Sequence, residues 1–254
     1  ARAVQLAMPM APSGIEVMDK SLLNMARESD PLLARRIPSD IDNVLMIEFD
    51  GPDREDCARS VEELLRKLRT AGLTDKAYPA VSVEEKQRFW ALRKAAVPIL
   101  YKLKGRKKIV ALVEDAAVPL EGLVPYFKGI YEIFGRHGVA FVLYGHIAKG
   151  LMHTRPLLDL KDSKDVGLLK PLADEVYDLV AGLDGTVSGE HGDGRLRSAY
   201  IKRRYPTIYD RFIEIKQLLD PDNILNPDII TTDRPDQMMH HLRFGPDYSA
   251  AEPP

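Results

Sequence analysis

The chain has 254 residues, 45% of them hydrophobic and 29% charged, with a formal net charge of -2. That mix suits a soluble domain with a buried core; it argues against a polyanion-binding surface, which shows as a strongly basic domain. No apolar run approaches the roughly 20 residues of a membrane-spanning helix. The single cysteine, Cys57, excludes an internal disulfide and any cysteine-held zinc or iron–sulfur centre. Ala1 is followed by no signal-type or transit-type segment. The expectation is a piece of a longer protein in a cytoplasmic setting, at most peripheral to the inner membrane.

In chain order, the first predicted element is a strand from Val44 to Phe49, β-branched and aromatic in character. Asp53 then opens a helix in which Cys57, Val61, Leu64, Leu65 and Leu68 recur at helical spacing, and Gly72 stops it. Ser82 with Glu85 three residues on has the form of a capping box, and Phe89 and Leu92 mark one face of a second helix until Pro98 ends or kinks it. Arg93 falls on this helix. The basic run from Lys102 to Lys108 reads as a solvated loop. A strand over Ile109–Val113, a helix over about 120–135 and strands over Val139–Tyr144 and Leu151–Arg155 follow. His137, before Gly138 at a helix end, needs no ligand. Two further helices cover about 163–181 and 205–219, the last closed by Asp220-Pro221. Tyr200, Tyr205, Tyr209 and Phe212 recur at near-helical spacing and read as core. The order of elements predicts an α+β fold, a mainly antiparallel sheet with helices covering one face. Residues 1–230 form the domain; 231–254 has the proline-and-charge texture of a linker or extension.

Two glycine-rich segments carry the chemistry. In Tyr144-Gly145-His146-Ile147-Ala148-Lys149-Gly150-Leu151-Met152-His153, the glycines between β-leaning flanks predict a hairpin with one histidine on each side of the turn. In Ser188-Gly189-Glu190-His191-Gly192-Asp193-Gly194, three glycines place Glu190 and His191 on a tight loop where backbone can crowd a ligand. Two histidines and a glutamate form a set that catalytic zinc sites use, and His146, His153 and Glu190 supply it. Spacing alone leaves both readings open, a metal site or ordinary hydrogen-bonded histidines.

These motifs, with Trp90-Ala91-Leu92-Arg93, Glu114-Asp115, Val118-Pro119, Arg155-Pro156, Leu219-Asp220-Pro221 and Ile224-Leu225-Asn226-Pro227, resemble the C-terminal domain of FAD-linked oxidases over about 45–230. That group includes glycolate oxidase, D-lactate dehydrogenase and D-2-hydroxyglutarate dehydrogenase. The resemblance implies a ferredoxin-like type of substrate domain that works beside an N-terminal FAD-binding domain. It implies divalent metal binding, with zinc first, by His146, His153 and Glu190. His191 becomes the catalytic base, Arg93 and Arg155 the grips on the substrate carboxylate, and Asn226 a contact to the FAD cofactor. Arg155 stands where human-type hydroxyglutarate enzymes carry asparagine and resembles the long bacterial forms that continue into an iron–sulfur domain, a candidate electron acceptor. Lys149 and Val113 depart from the family's aspartate and lysine at those places. A metal-dependent hydrolase or a non-catalytic assembly module would need no flavin partner, so both stand as alternatives at this level.

Overall fold

The computed structural model describes residues 1–29, 39–74, 76–246 and 248–249. Six strands form one sheet: β1 (Gly14–Met18), β2 (Val44–Glu48), β3 (Lys108–Ile109), β4 (Ala116–Ala117), β5 (Phe141–Gly145) and β6 (Leu151–Leu158). Their order is β2-β1-β5-β6-β3, with β4 also paired to β6, and every ladder among the described residues is antiparallel. Strand alternation sends successive side chains to opposite faces. On β5, Phe141 and Leu143 enter one core and Val142 and Tyr144 another.

The larger core is roofed by α5 (Leu123–Arg136) and α7 (Leu169–Gly182), with α1 (Arg2–Ala7) and α3 (Arg54–Thr70) contributing Val4, Ala7, Leu64 and Leu68. The opposite face is covered as well, a departure from the one-face expectation. There α2 (Lys20–Ser29) and α4 (Val83–Tyr101) pack Leu22, Leu23, Ile99 and Leu100 against Val142 and Tyr144. Of this layer the sequence predicts α4 but not α2, which lies before Val44 where no element is expected. Asp19 in fact caps α2, its Oδ1 accepting from Leu22 N at 2.9 Å.

Several helix signals are realised as side-chain bonds. Asp53 accepts from Asp56 N at 2.8 Å, and the Ser82–Glu85 capping box is reciprocal, so both helix starts are held. Helix α4 runs through Pro98 to Tyr101 rather than ending there. The expected strand over Ile109–Val113 is cut to Lys108–Ile109: Val110 N still reaches Pro156 O at 2.9 Å, but Leu112 turns its carbonyl to Tyr177 Oη at 3.2 Å. The expected helix from 205 starts at Tyr209, because Tyr205 ends a separate helix, α8 (Gly194–Arg204), while α9 spans Tyr209–Leu219. Short helix α6 (Ser163–Gly167) precedes α7. Tyr200 and Tyr209 are buried in the core. After residue 230 the chain stays on the domain: a 3-10 turn at Gln237–Met239 buries Gln237 and Met238, and Gln237 Nε2 donates to Asp228 O at 2.9 Å. Residues 247 and 250–254 lie outside the described residues.

Candidate active site

The face of the sheet that carries Tyr144 also carries the site. His153 and Arg155 alternate with Thr154 on β6, whose hydroxyl instead meets Tyr126 Oη at 3.3 Å beneath the other face. The register Tyr144↔His153 puts His153 beside the end of β5. His146 follows β5, a 3-10 turn at Ile147–Lys149 comes next, and Gly150 reverses the chain at φ 68°. A Cβ on Gly150 would overlap the Val118 carbonyl, so the turn needs both the left-handed conformation and the missing side chain. One histidine thus stands on each side of the turn, as the glycine spacing predicts.

The loop 188–191 comes up against this hairpin because Asp115 holds it. Asp115 is fully buried at φ 82°. Its carboxylate accepts from Ser188 Oγ at 2.5 Å and from the amides of Gly189, Glu190 and His191 at 3.1, 3.1 and 2.8 Å. Its carbonyl accepts from Gly189 N and its own amide donates to Met152 O, so one residue ties the loop to β6. That is why Glu190 and His191 stand against the hairpin while both stay open to solvent.

Three imidazoles converge on one oxygen. Glu190 Oε1 lies 3.5 Å from His146 Nε2, 3.3 Å from His153 Nε2 and 3.4 Å from His191 Nε2. His153 and His191 stack with ring centres 5.1 Å apart, and His146 meets His153 edge-on at 5.6 Å. None of the three contacts to Glu190 is aligned as a hydrogen bond. Two ligands each about 2.1 Å from a tetrahedral zinc lie roughly 3.4 Å apart, which is the spacing found. Each Nδ1 faces a carboxylate in turn: His146 meets Glu16 at 2.5 Å, His191 meets Glu114 at 2.8 Å, and buried His153 lies 3.5 Å from Glu114. Carboxylates behind imidazoles turn the Nε2 lone pairs inward, as in histidine-held metal sites. The donor set fits a divalent cation. Among the described residues, the compact set of possible ligand atoms is Asp115, His153, Glu190 and His191 and leaves out the predicted ligand His146; the Asp115 oxygens are engaged by the loop. His191 stands as near to Glu190 as His146 does.

The predicted substrate arginines frame the cluster. Arg93 donates through Nε to Glu16 at 2.8 Å, leaving its two terminal nitrogens without a hydrogen bond among the described residues. Arg155 donates to Glu114 at 2.9 Å and to Tyr101 Oη at 3.4 Å. Both guanidiniums lie over the Tyr144 ring, at 5.1 and 5.7 Å. Burial works against ionisation of Glu114, yet the facing His153 and His191 imidazoles and Arg155 outweigh it and hold its carboxyl well below the usual carboxylate range. The Glu114 hydrogen bond raises the pKa of His191 against the opposing effect of its partial burial. Asn226 stands apart, exposed at φ 50° in the loop after α9 with no hydrogen bond to this cluster among the described residues. Sequence reading missed Glu16 and Arg197. A lone acid within the apolar strand Gly14-Ile15-Glu16-Val17-Met18 was the available signal for the first; α8, too charged to show a helical stripe, hid the second.

Residues 1–230 match the family described as FAD linked oxidases, C-terminal domain. The chain belongs to that family. Among curated relatives, it is 33% identical over 230 residues to a D-2-hydroxyglutarate dehydrogenase of Haemophilus influenzae, covering 86% of this chain and 22% of the relative. To the glycolate oxidase subunit GlcD of Escherichia coli it is 29% identical, covering 87% of this chain and 43% of that one. To a D-lactate dehydrogenase of Archaeoglobus fulgidus it is 26% identical, covering 88% and 46%. The chain therefore spans less than half the length of each. The 4-ethylphenol oxidase of Gulosibacter chungangensis shares the fold, with a TM-score of 0.57 at 14% identity over 92% of this chain and 51% of that one. No helix among the described residues is long and apolar enough to cross a membrane.

Proposed function

We propose that this domain is the substrate- and metal-binding part of an FAD-linked dehydrogenase that oxidises a small D-2-hydroxy acid, such as D-lactate, glycolate or D-2-hydroxyglutarate, to the 2-oxo acid. The observation that carries the reading is the convergence of three imidazole Nε2 atoms on Glu190 beside the unbonded terminal nitrogens of Arg93. His146, His153 and Glu190 would hold a divalent ion, zinc first. When bound, the ion stabilises negative charge on the substrate oxygen, and the flavin of a partner domain accepts the hydride from C2.

The rest falls to this chain. Arg93 binds the substrate carboxylate through its free fork, Nε staying on Glu16, and Arg155, also over the Tyr144 ring, adds charge. Two fixed cations orient the acid and so fix the direction of its C2–H bond. His191, more exposed than His153 and held at Nδ1 by Glu114, presents the Nε2 lone pair that takes the hydroxyl proton. The substrate loses one proton to His191 and one hydride to the flavin, which balances the oxidation.

The test is a pair of variants in the intact flavoprotein. Glu190→Ala should lose metal, with substrate affinity and turnover falling together. His191→Ala should keep metal and bind substrate nearly as well while turnover drops by roughly 10²–10⁴. A metal-free His191→Ala beside a fully active Glu190→Ala would reverse the two roles.

A further inference from the structure

One carboxylate sits behind most of the site without facing its centre. Glu114, 5% exposed, uses Oε1 to meet His191 Nδ1 at 2.8 Å and Arg197 at 3.3 Å, and Oε2 to meet Arg155 at 2.9 Å, while His153 Nδ1 lies 3.5 Å away without a hydrogen bond. It cannot swing away. Asp115 follows it at positive φ with its carboxylate locked into the loop, and Arg197 from α8 donates to the Glu114 carbonyl at 2.5 Å and to Gly192 O at 2.8 Å.

We propose that Glu114 is the positioning residue of this site, setting the tautomer of His191 and the placement of Arg155 together. An ionised carboxylate offers acceptors only, so His191, hydrogen-bonded to it through Nδ1 and not aligned for a bond to Glu190, carries its proton on Nδ1. Nε2 is then left with a lone pair pointing toward Glu190. Arg155, 41 residues away in sequence, shares the other oxygen, so the arm that grips the acid and the base that deprotonates it rest on one support. Glutamine cannot reproduce this: it has one acceptor oxygen, and its amide would face at least one of the three donors.

The inference deepens the functional reading above and rests on it. Its test does not need catalysis. In this chain free of zinc, at about pH 9 where imidazoles are neutral, long-range ¹H–¹⁵N correlations report each histidine's tautomer. His191 should be Nδ1–H in the parent protein. It should shift toward Nε2–H in Glu114→Ala and, with the fold least disturbed, in Glu114→Gln. Zinc titration of the parent chain runs beside it as the check on the metal reading. An unchanged His191 tautomer in Glu114→Gln, when it is folded by circular dichroism, overturns the proposal. A parent chain that binds no zinc contradicts the metal reading instead, and the tautomer comparison still decides the role of Glu114.

Discussion

At the scale of single residues, burial separates polar groups that organise the site from those that burden the fold. Asp115 is the clearest organiser. Replacing it by asparagine removes one acceptor and puts an amide donor against the amides of Gly189, Glu190 and His191. We expect Asp115→Asn to cost about 1–3 kcal/mol and to speed hydrogen exchange in 189–191 while β5 stays protected. Unchanged exchange in that loop would remove Asp115 from the account. Asp19 is the opposite case. It is 2% exposed, Oδ2 has no partner, and burial raises its pKa from 3.8 to about 6 despite the capping bonds from Leu22 and other amides. The native state therefore holds a proton that the unfolded chain has released, and the contribution to stability is full below pH 3.8 and is lost as pH rises through about 6. That loss is on the order of 3 kcal/mol. Asp19→Asn keeps the cap acceptor and removes the titration, so urea unfolding at pH 4 and pH 7 should show the parent losing stability relative to the variant. Parallel curves would contradict it.

At the scale of elements, what the sequence announced was local chemistry, and what it hid was tertiary. Caps at Asp53 and Ser82, the glycines of the hairpin and the β-branched and aromatic run of β5 are written in neighbouring residues, and each is realised. Helix α8 was invisible because the side it buries includes Arg197 and Ser198, polar residues whose partners lie 83 and 32 positions away. The strand over Ile109–Val113 was overextended because its β-branched residues also suit an extended chain whose bonds go to a tyrosine hydroxyl instead of a ladder. The candidate site follows the same pattern: the three histidines and Glu190 were legible from two glycine-rich motifs, whereas Glu16 and Arg197 become visible only once the chain is folded. The hairpin turn provides an element-scale prediction. Gly150→Ala places a Cβ on the Val118 carbonyl in a left-handed conformation, and thermal unfolding should show a loss of more than about 1 kcal/mol, with His146 displaced from Glu190 and zinc affinity falling. A variant with parent stability would show that the turn has room the structure denies it.

At the scale of the whole molecule, the domain carries a surface that its own fold leaves uncovered. On α9 and the loop after it, Ile215, Leu218, Leu219, Ile224 and Leu225 are 56–81% exposed. The loop is nonetheless ordered, because Asp220 accepts from the amides of Ile224 and Leu225 at 2.9 Å. Relatives of the family are more than twice as long as the matched region, and a flavin-holding partner domain is the occupant that the proposed function requires. Leu218→Glu with Leu225→Glu should leave the folding of this chain intact and weaken flavin retention in the intact protein; full retention would place the partner elsewhere. The central claim is that His146, His153 and Glu190 hold a metal ion. Calorimetric titration of this chain with zinc tests it most directly: the account predicts about one ion per chain, lost in a folded His153→Ala. Equal zinc binding by the parent and His153→Ala would contradict it.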